Sequence, residues 1–529
     1  MTAGLSLANP ANPAAEHRRG RRRQAPPLWL VLAAALPVAM FCLPLAYVAL
    51  RAWQAGPAGI VGELLRPLTL SLLLNTLVLG LGVTAGACLI GTAAAWCVER
   101  CDLPGRRTWR VAICLPLAVP AFVSSYAWSS VSDAFEGMAG AIFILAIATY
   151  PLVALPVAAA LRGMDPAFED VSRSLGRGPW ETFFRVVLPQ ARPALGVGAL
   201  LVLTHMFAEF GALALLRVQT FTTAIFASYE LQFDSASAAL QSAVLMALCL
   251  PAAWGEMRLR ARTHVARTGR GSARDLPLRR LGRLKLPVAA AFAALLVLAL
   301  GVPFAMLLYW LAVGQSRGAG FADLAPALAG SLGLALPAAV IVVALALPLV
   351  LASSRHRGRL AALADRLPYV VHGLPGLVIA LALVFLSIRY AQPLYQTAAV
   401  LFAAYAMLYL PLAQSALRAS VELVPPRLEE LARGLGRGPF AAFATVTLPN
   451  ILPGVGAALA LIALEVMREL TATLMLAPIG VTTLATEFWS HANDGEYAAA
   501  APFAALLVAA SALPVYVFVR RNADMADFT

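Results

Sequence analysis

The sequence predicts an all-α polytopic membrane protein with about twelve transmembrane helices in two parallel six-helix repeats. Three observations carry that expectation. Hydrophobic residues make up 60% of the 529 positions and charged residues only 13%, against roughly 45–50% and 25% in soluble proteins. The apolar residues fall in long runs, and about 20 consecutive apolar residues span a bilayer as a helix. A long segment of the first half recurs in the second half.

Twelve apolar runs are candidates. In the first half they cover 28–50, 69–98, 109–131, 138–161, 193–216 and 236–256. In the second half they cover 287–312, 329–352, 368–388, 395–418, 451–476 and 497–519. The run after the basic HRRGRRR tail is longer than the 7–15 apolar residues of a signal peptide and has no small-residue cleavage site. It reads as a retained first span.

The net charge of +13 raises nucleic acid as a partner, but its distribution argues otherwise. Arg residues cluster between apolar runs, as the positive-inside rule requires, and basic and aromatic residues do not interleave. ERCDLPGRRTWR (99–110), 257–286 and SSRHRGRLAALADR (353–366) fall on one side, that of the N-terminus. VSDAFEG (131–137) and NDGE (493–496) fall on the other and lean acidic. The expected organisation is a basic cytoplasmic tail at 1–27, a first unit at 28–256, a basic cytoplasmic linker at 257–286, a second unit at 287–519 and a cytoplasmic tail at 520–529. The linker, rich in Arg and without an apolar period, reads as solvated. Cys42, Cys88, Cys114 and Cys249 lie in apolar runs. Cys97 and Cys101 have helical spacing, but no further ligand completes a metal site.

The repeat is read directly. Residues 169–189 are EDVSRSLGRGPWETFFRVVLP and residues 429–449 are EELARGLGRGPFAAFATVTLP, an offset of 260 (429 − 169). At that offset Glu209 meets Glu469, Thr222-Thr223 meets Thr482-Thr483 and Asp234 meets Asp494. Asp165-Pro166 is a helix-start signal and Gly176 a positive-φ stop. Gly178-Pro179 restarts a helix expected to end at Leu188-Pro189. Pro425-Pro426, Gly436, Gly438-Pro439 and Pro449 repeat the pattern. Each copy should form a helix–Gly–helix elbow. Loop sequences normally vary, so two loops that both keep LGRGP suggest a docking function.

At these residues the chain resembles the permease subunits of type I ATP-binding-cassette importers, whose cytoplasmic signature is Glu-Ala-Ala, then Gly, then an apolar residue and Leu-Pro. Here Asp170-Val171 and Glu430-Leu431 replace the Ala pair. The resemblance implies two coupling helices seated on a cytoplasmic ATPase dimer, with Glu169, Asp170, Gly176, Glu429, Glu430 and Gly436 as coupling residues. Segments 209–240 and 467–507, and ERCDLPGRRTWR with LPLAVPAF (115–122), resemble the fused two-unit permeases of ferric-iron importers. In that family the first-half segment usually begins with Asp where this chain has Glu209. Permeases for thiamine and phosphonate look similar. The resemblance further implies a periplasmic or extracellular substrate-binding protein, the bacterial inner membrane as location and both termini in the cytoplasm.

The chain has a single lysine, Lys285, and no G-x-x-x-x-G-K-[ST] loop. It should therefore bind no cofactor and hydrolyse no ATP, which a partner subunit would use. GLGVTAG (80–86) lies in a span and reads as small residues for close helix packing. No catalytic constellation appears, which counts against a membrane enzyme. An ion-coupled secondary transporter is the rival reading, but it would have no ATPase to dock.

The fifth spans carry charge: THMFAEF holds His205 and Glu209, and LEVMREL holds Glu465, Arg468 and Glu469. Charges inside a span are costly and face a cavity or one another. These five residues are candidates for the translocation path, with Glu209, Glu465 and Glu469 as transient hard-oxygen contacts for iron(III). The alternative is structural, Arg468 pairing with Glu465 or Glu469 to close the bundle.

Overall fold

The computed structural model describes residues 28–165, 167–263, 278–317, 323–355, 361–365, 368 and 373–525. The basic tail at 1–27, Pro166 and much of the linker lie outside the described residues. Among those described there are many helices, no β-strand, and one isolated bridge between Cys101 and Arg279.

Nine described helices are long and apolar enough to cross a membrane. A further apolar pair, Arg106–Ala118 and Ala121–Val131, is bent by 84°, as a broken span or a re-entrant loop would be. Two shorter apolar helices, Gly376–Tyr390 and Tyr497–Ala512, occupy the remaining expected places. The bend has a local cause, and the same feature precedes Gly376–Tyr390. Pro120 and Pro375 are extended, at ψ 143° and 141°, and each opens the helix that follows. Proline cannot donate the N–H that a continuous helix would need there.

The expected spans shift in three places. The first helix runs from Leu28 to Leu64 and kinks at Gly56, where φ is +67°. The sixth, Ser235–Thr263, continues into the segment read as linker. The elbow's second arm does not stop at Leu188-Pro189. Trp180–Ala208 is one 29-residue helix, about 43 Å long at 1.5 Å per residue. A π-turn at Phe183–Val187 precedes Leu188-Pro189, and the second half repeats it at Phe443–Thr447 before Leu448-Pro449. The widened turn lets a proline enter the helix where its ring would otherwise press on the preceding turn.

Close packing uses the small residues. A Cβ on Gly82 would meet Ile142 at 2.8 Å, and one on Gly86 would meet Ala146 at 2.9 Å. GLGVTAG is thus a helix-contact face, as expected. The first helix of each half also reaches the other half. The Tyr47 ring of the first helix lies tilted against Phe385 (ring centroids 5.0 Å apart). Phe292, at the start of the second half, lies tilted against Trp109 (5.5 Å). A third apolar cluster joins the halves through Phe122–Phe488 (5.3 Å) and Phe210–Trp489 (5.1 Å). Exposed Leu32, Leu36, Leu70, Leu74, Leu81, Leu336 and Val340 face outward along these helices, where lipid would receive them.

Candidate functional site: two glycine-broken loops and two charged helix breaks

Each LGRGP loop is built by a helix that must stop and restart within a few residues. Asp165 Oδ1 accepts the Ala167 N–H at 2.9 Å and starts the helix Ala167–Ser174. Gly176 stops it with φ +74°. The Gly176 N–H donates to Arg173 O (2.9 Å) and the Arg177 N–H to Ser172 O (3.2 Å), the paired bonds of a Schellman stop. In the second loop Pro426–Gly434 ends in the same way. Gly436 has φ +85°, and Arg437 N–H donates to Ala432 O at 3.1 Å. Nothing lies within 4 Å of a Cβ at either glycine. The requirement there is left-handed backbone and not space.

Glu169 and Glu429 do not face outward. Glu169 is buried, and its Oε1 lies 3.0 Å from Nη1 of Arg100, the last residue of the second span. Arg173 (3.4 Å) and Arg279 (4.0 Å) approach its other oxygen. Glu429 is likewise buried and pairs with Arg355, the last residue of the corresponding span. Arg433 lies 3.7 Å away, and the Thr447 hydroxyl donates to Glu429. The two arginines are separated by less than the two loops are (355 − 100 against 429 − 169), so the repeat alone does not pair them. Asp170 and Glu430 are exposed.

The outward face of the elbows is apolar. Phe168, Val171, Leu175 and Trp180 of the first loop match Leu428, Leu431, Leu435 and Phe440 of the second, each at the offset of the loops themselves. All eight are between 41% and 84% exposed. Around the first loop, buried Glu99 gathers Arg110 (2.9 Å), Arg106 (3.4 Å) and Arg162 (3.6 Å). Asp102 accepts from Lys285 Nζ and the Leu281 N–H, both at 2.7 Å. Those two bonds hold the Asp102 carboxyl below its ordinary value.

The fifth spans break where their charges lie. The first ends at Ala208, and Glu209 is extended at ψ 130°. Its Oε1 accepts the Ala212 N–H at 3.0 Å, and its carbonyl accepts the Thr222 hydroxyl at 2.6 Å. His205 Nε2 lies 3.8 Å from Glu209 Oε2. The other fifth span ends at Met467. Glu469 Oε1 accepts from Ala472 N–H, and Oε2 accepts from both the N–H and the hydroxyl of Thr473, all at 3.0 Å. That hydroxyl also lies 2.9 Å from Tyr405 OH. Arg468 approaches Glu465 at 3.9 Å. No hydrogen bond or ion pair joins Arg468 to Glu469 among the described residues.

The threonines beyond the breaks are matched in structure by a different register. Thr220 caps Phe221–Phe226 with Thr223, and Thr483 caps Leu484–Asn493 with Thr486. The caps lie further apart than the loops (483 − 220 against 429 − 169), so Thr222-Thr223 does not superpose on Thr482-Thr483. Asp234 caps the helix after it, through Ala236 and Ser237, whereas Asp494 ends the helix before it. At the end opposite the elbows, Ser129, Glu136, Arg217, Asn493, Asp494 and Tyr497 line a cleft of 280 Å³ between the halves.

Comparison with known proteins places this geometry. The family model described as "binding-protein-dependent transport system inner membrane component" matches residues 14–263 and again 344–523. The chain belongs to this family. These are the permeases of ATP-binding-cassette importers, so the protein is a transport subunit and not an enzyme. An Fe(3+)-transport system permease protein of Haemophilus influenzae is 45% identical over 495 residues, covering 93% of this chain and 98% of the relative. A molybdenum transport system permease of Escherichia coli is 31% identical over 139 residues, covering 23% of this chain and 60% of the relative. A sulfate transport system permease of the same organism is 28% identical over 182 residues, covering 31% and 66%.

In this permease Asp170 and Gly176 lie on the surface of one elbow and Glu430 and Gly436 on that of the other, while Glu169 and Glu429 are buried beneath them. His205, Glu209, Glu465, Arg468 and Glu469 lie at the two helix breaks. The arginine anchors Arg100 and Arg355 were missed by sequence reasoning. Their only signal was position, as the last basic residue of a long apolar helix.

Proposed function

We propose that this permease carries ferric iron inward across a bacterial inner membrane, driven by a separate ATPase dimer and fed by a substrate-binding protein outside. The near full-length match to an Fe(3+)-transport system permease carries the choice of iron. The elbows supply the rest of the reading. Their eight offset-matched apolar side chains form two like surfaces, suited to two copies of one ATPase subunit. Glu169, Asp170, Gly176, Glu429, Glu430 and Gly436 shape those surfaces. The second arm of each elbow continues into a fifth span as one helix, so a push on that arm reaches the charged break as movement of that helix.

In this reading residues 28–256 and 287–519 are the two units, the elbows and 257–286 face the cytoplasm, and both termini lie there. His205, Glu465 and Arg468 belong to the wall of the path, and Glu209 and Glu469 stand at the two helix breaks beside it. The assembled complex in vesicles, supplied with iron-loaded binding protein outside and ATP at the elbow face, should accumulate iron. Uptake without ATP, or accumulation of thiamine or phosphonate instead, would overturn the proposal.

A further inference from the structure

The four carboxylate and imidazole groups at the breaks divide into two kinds. His205 and Glu465, equivalent in the repeat, have side chains 48% and 31% exposed. Glu209, its side chain 11% exposed, and Glu469 turn back onto their own chain and accept backbone N–H groups three and four residues on. A carboxylate engaged in this way fixes the direction in which the chain leaves the helix.

That direction matters because the two breaks meet each other. A Cβ on Gly211 would lie 2.8 Å from Leu470 Cδ2 and 3.2 Å from Phe122 Cβ. Phe210 and Leu470, the residues that follow Glu209 and Glu469, belong to one apolar cluster that joins the halves. Phe210 stacks on Phe226 (4.7 Å) and on Trp489 of the other half (5.1 Å). Each carboxylate immediately precedes a residue of this cluster.

We infer that Glu209 and Glu469 are positioning residues, latches that hold the helix breaks so that Phe210 and Leu470 close the path, while His205 and Glu465 are the groups open to the cargo. The inference rests on the transport reading above. It revises the assignment of Glu209 and Glu469 as iron contacts.

The hydrogen bonds make the two latches chemically unequal. Glu209 uses one oxygen as acceptor for Ala212. A glutamine keeps that oxygen and turns its amide toward His205. Glu469 uses both oxygens against two backbone N–H groups, with the Thr473 hydroxyl proton shared between Oε2 and the Glu469 carbonyl, so a glutamine would set its amide N–H against the N–H of Thr473. A cargo ligand would follow a different rule, since loss of the negative charge should harm both sites alike.

The test uses the assembled transporter in vesicles, with Glu209→Gln, Glu209→Ala, Glu469→Gln and Glu469→Ala. ATP hydrolysis without binding protein reads the latch, and uptake of iron from loaded binding protein reads transport. Glu209→Gln should stay within about threefold of the parent in both assays. Glu209→Ala, Glu469→Gln and Glu469→Ala should each raise unstimulated hydrolysis several-fold and cut uptake at least tenfold. Equal behaviour of the two glutamine variants, whether both tolerated or both inactive, overturns the latch. Because Glu209→Gln is expected to assemble and work, a folding failure of the alanine variants leaves that comparison intact. If the parent complex fails to take up iron, the iron reading falls, while the hydrolysis pattern still decides the latch.

Discussion

At the residue scale, the two loop glutamates decide how the elbows are held. Each is buried against an arginine at the end of the second span of its half, and removing that arginine leaves the buried charge to the more exposed Arg173 or Arg433. Complete loss of a buried partner costs on the order of 3–5 kcal/mol, and the loss here should be a part of that. Arg100→Ala should therefore lower the thermal midpoint of the detergent-solubilised permease. The paired change Arg100→Met with Glu169→Met should recover much of the loss. A drop no larger than that of an exposed-surface control would show that the pair is not an anchor. Sequence reasoning read Glu169 and Glu429 as coupling residues but could not see which way they point. Their partners lie far back along the chain, at the end of another span, and the repeat offset differs between the two ends of each pair.

Asp102 gives a second test at this scale. Lys285 and the Leu281 N–H depress its pKa below 3.8. A depressed carboxyl contributes stability above its unfolded value and loses it as pH falls through the folded value. The contact between 99–106 and 278–285 should thus persist at pH 5 and loosen only below 3.8. A loss of Leu281 N–H exchange protection, relative to the intrinsic rate at each pH, already near pH 5 would contradict this.

At the scale of elements, the elbow stop and the π-turn act together. Gly176 and Gly436 are in left-handed backbone with open space around them, and an L-residue there costs roughly 1–2 kcal/mol. Asparagine visits that region more readily than other side chains. Gly176→Asn should retain more ATPase binding than Gly176→Val, and equal binding would show that the stop is not conformational. The π-turn predicts a sharper effect. Deleting Arg185 should remove the residue that the π-turn absorbs and restore α-helical winding with the elbow facing nearly as before, whereas deleting Gln190 from the α-helix beyond it should rotate the elbow by about 100° relative to the span. The Arg185 deletion should keep most ATP-driven uptake and the Gln190 deletion should lose it; the reverse order would deny the π-turn a role in keeping the register.

Much at this scale was legible in the sequence. The spans, the glycine stops and the doubled loop follow from apolar runs, left-handed glycine and spacing. The continuity of elbow and fifth span was not legible, because Leu188-Pro189 reads as a boundary. Its resolution needs a widened turn that no local propensity announces. The helix breaks after Ala208 and Met467 were hidden for the opposite reason. The apolar run resumes beyond the charges, at 211–216 and 471–476, and only side-chain-to-backbone bonds from Glu209 and Glu469 mark the turn.

At the scale of the whole molecule, one chain supplies two near-equivalent elbows, two breaks and an apolar seal between halves. The pseudo-symmetry is not uniform. The arginine anchors, the loops and the threonine caps each keep an offset of their own. Among the described residues, the inter-unit segment reaches a loop glutamate through Arg279 on the first loop alone. A single linear offset therefore found the loops and lost the threonine caps. The first helices reach the opposite half, so cutting the linker should leave the halves associated after mild detergent extraction. Separation into two monomeric pieces would contradict the packing between halves.

The claim on which the account turns is that energy enters through two like surfaces on this one chain. Native mass measurement of the purified complex tests it most directly. The account predicts two ATPase subunits per permease chain, with binding weakened by Leu175→Asp or Leu435→Asp alone and abolished by the two together. A complex with a single ATPase subunit, or one indifferent to both substitutions, would contradict it.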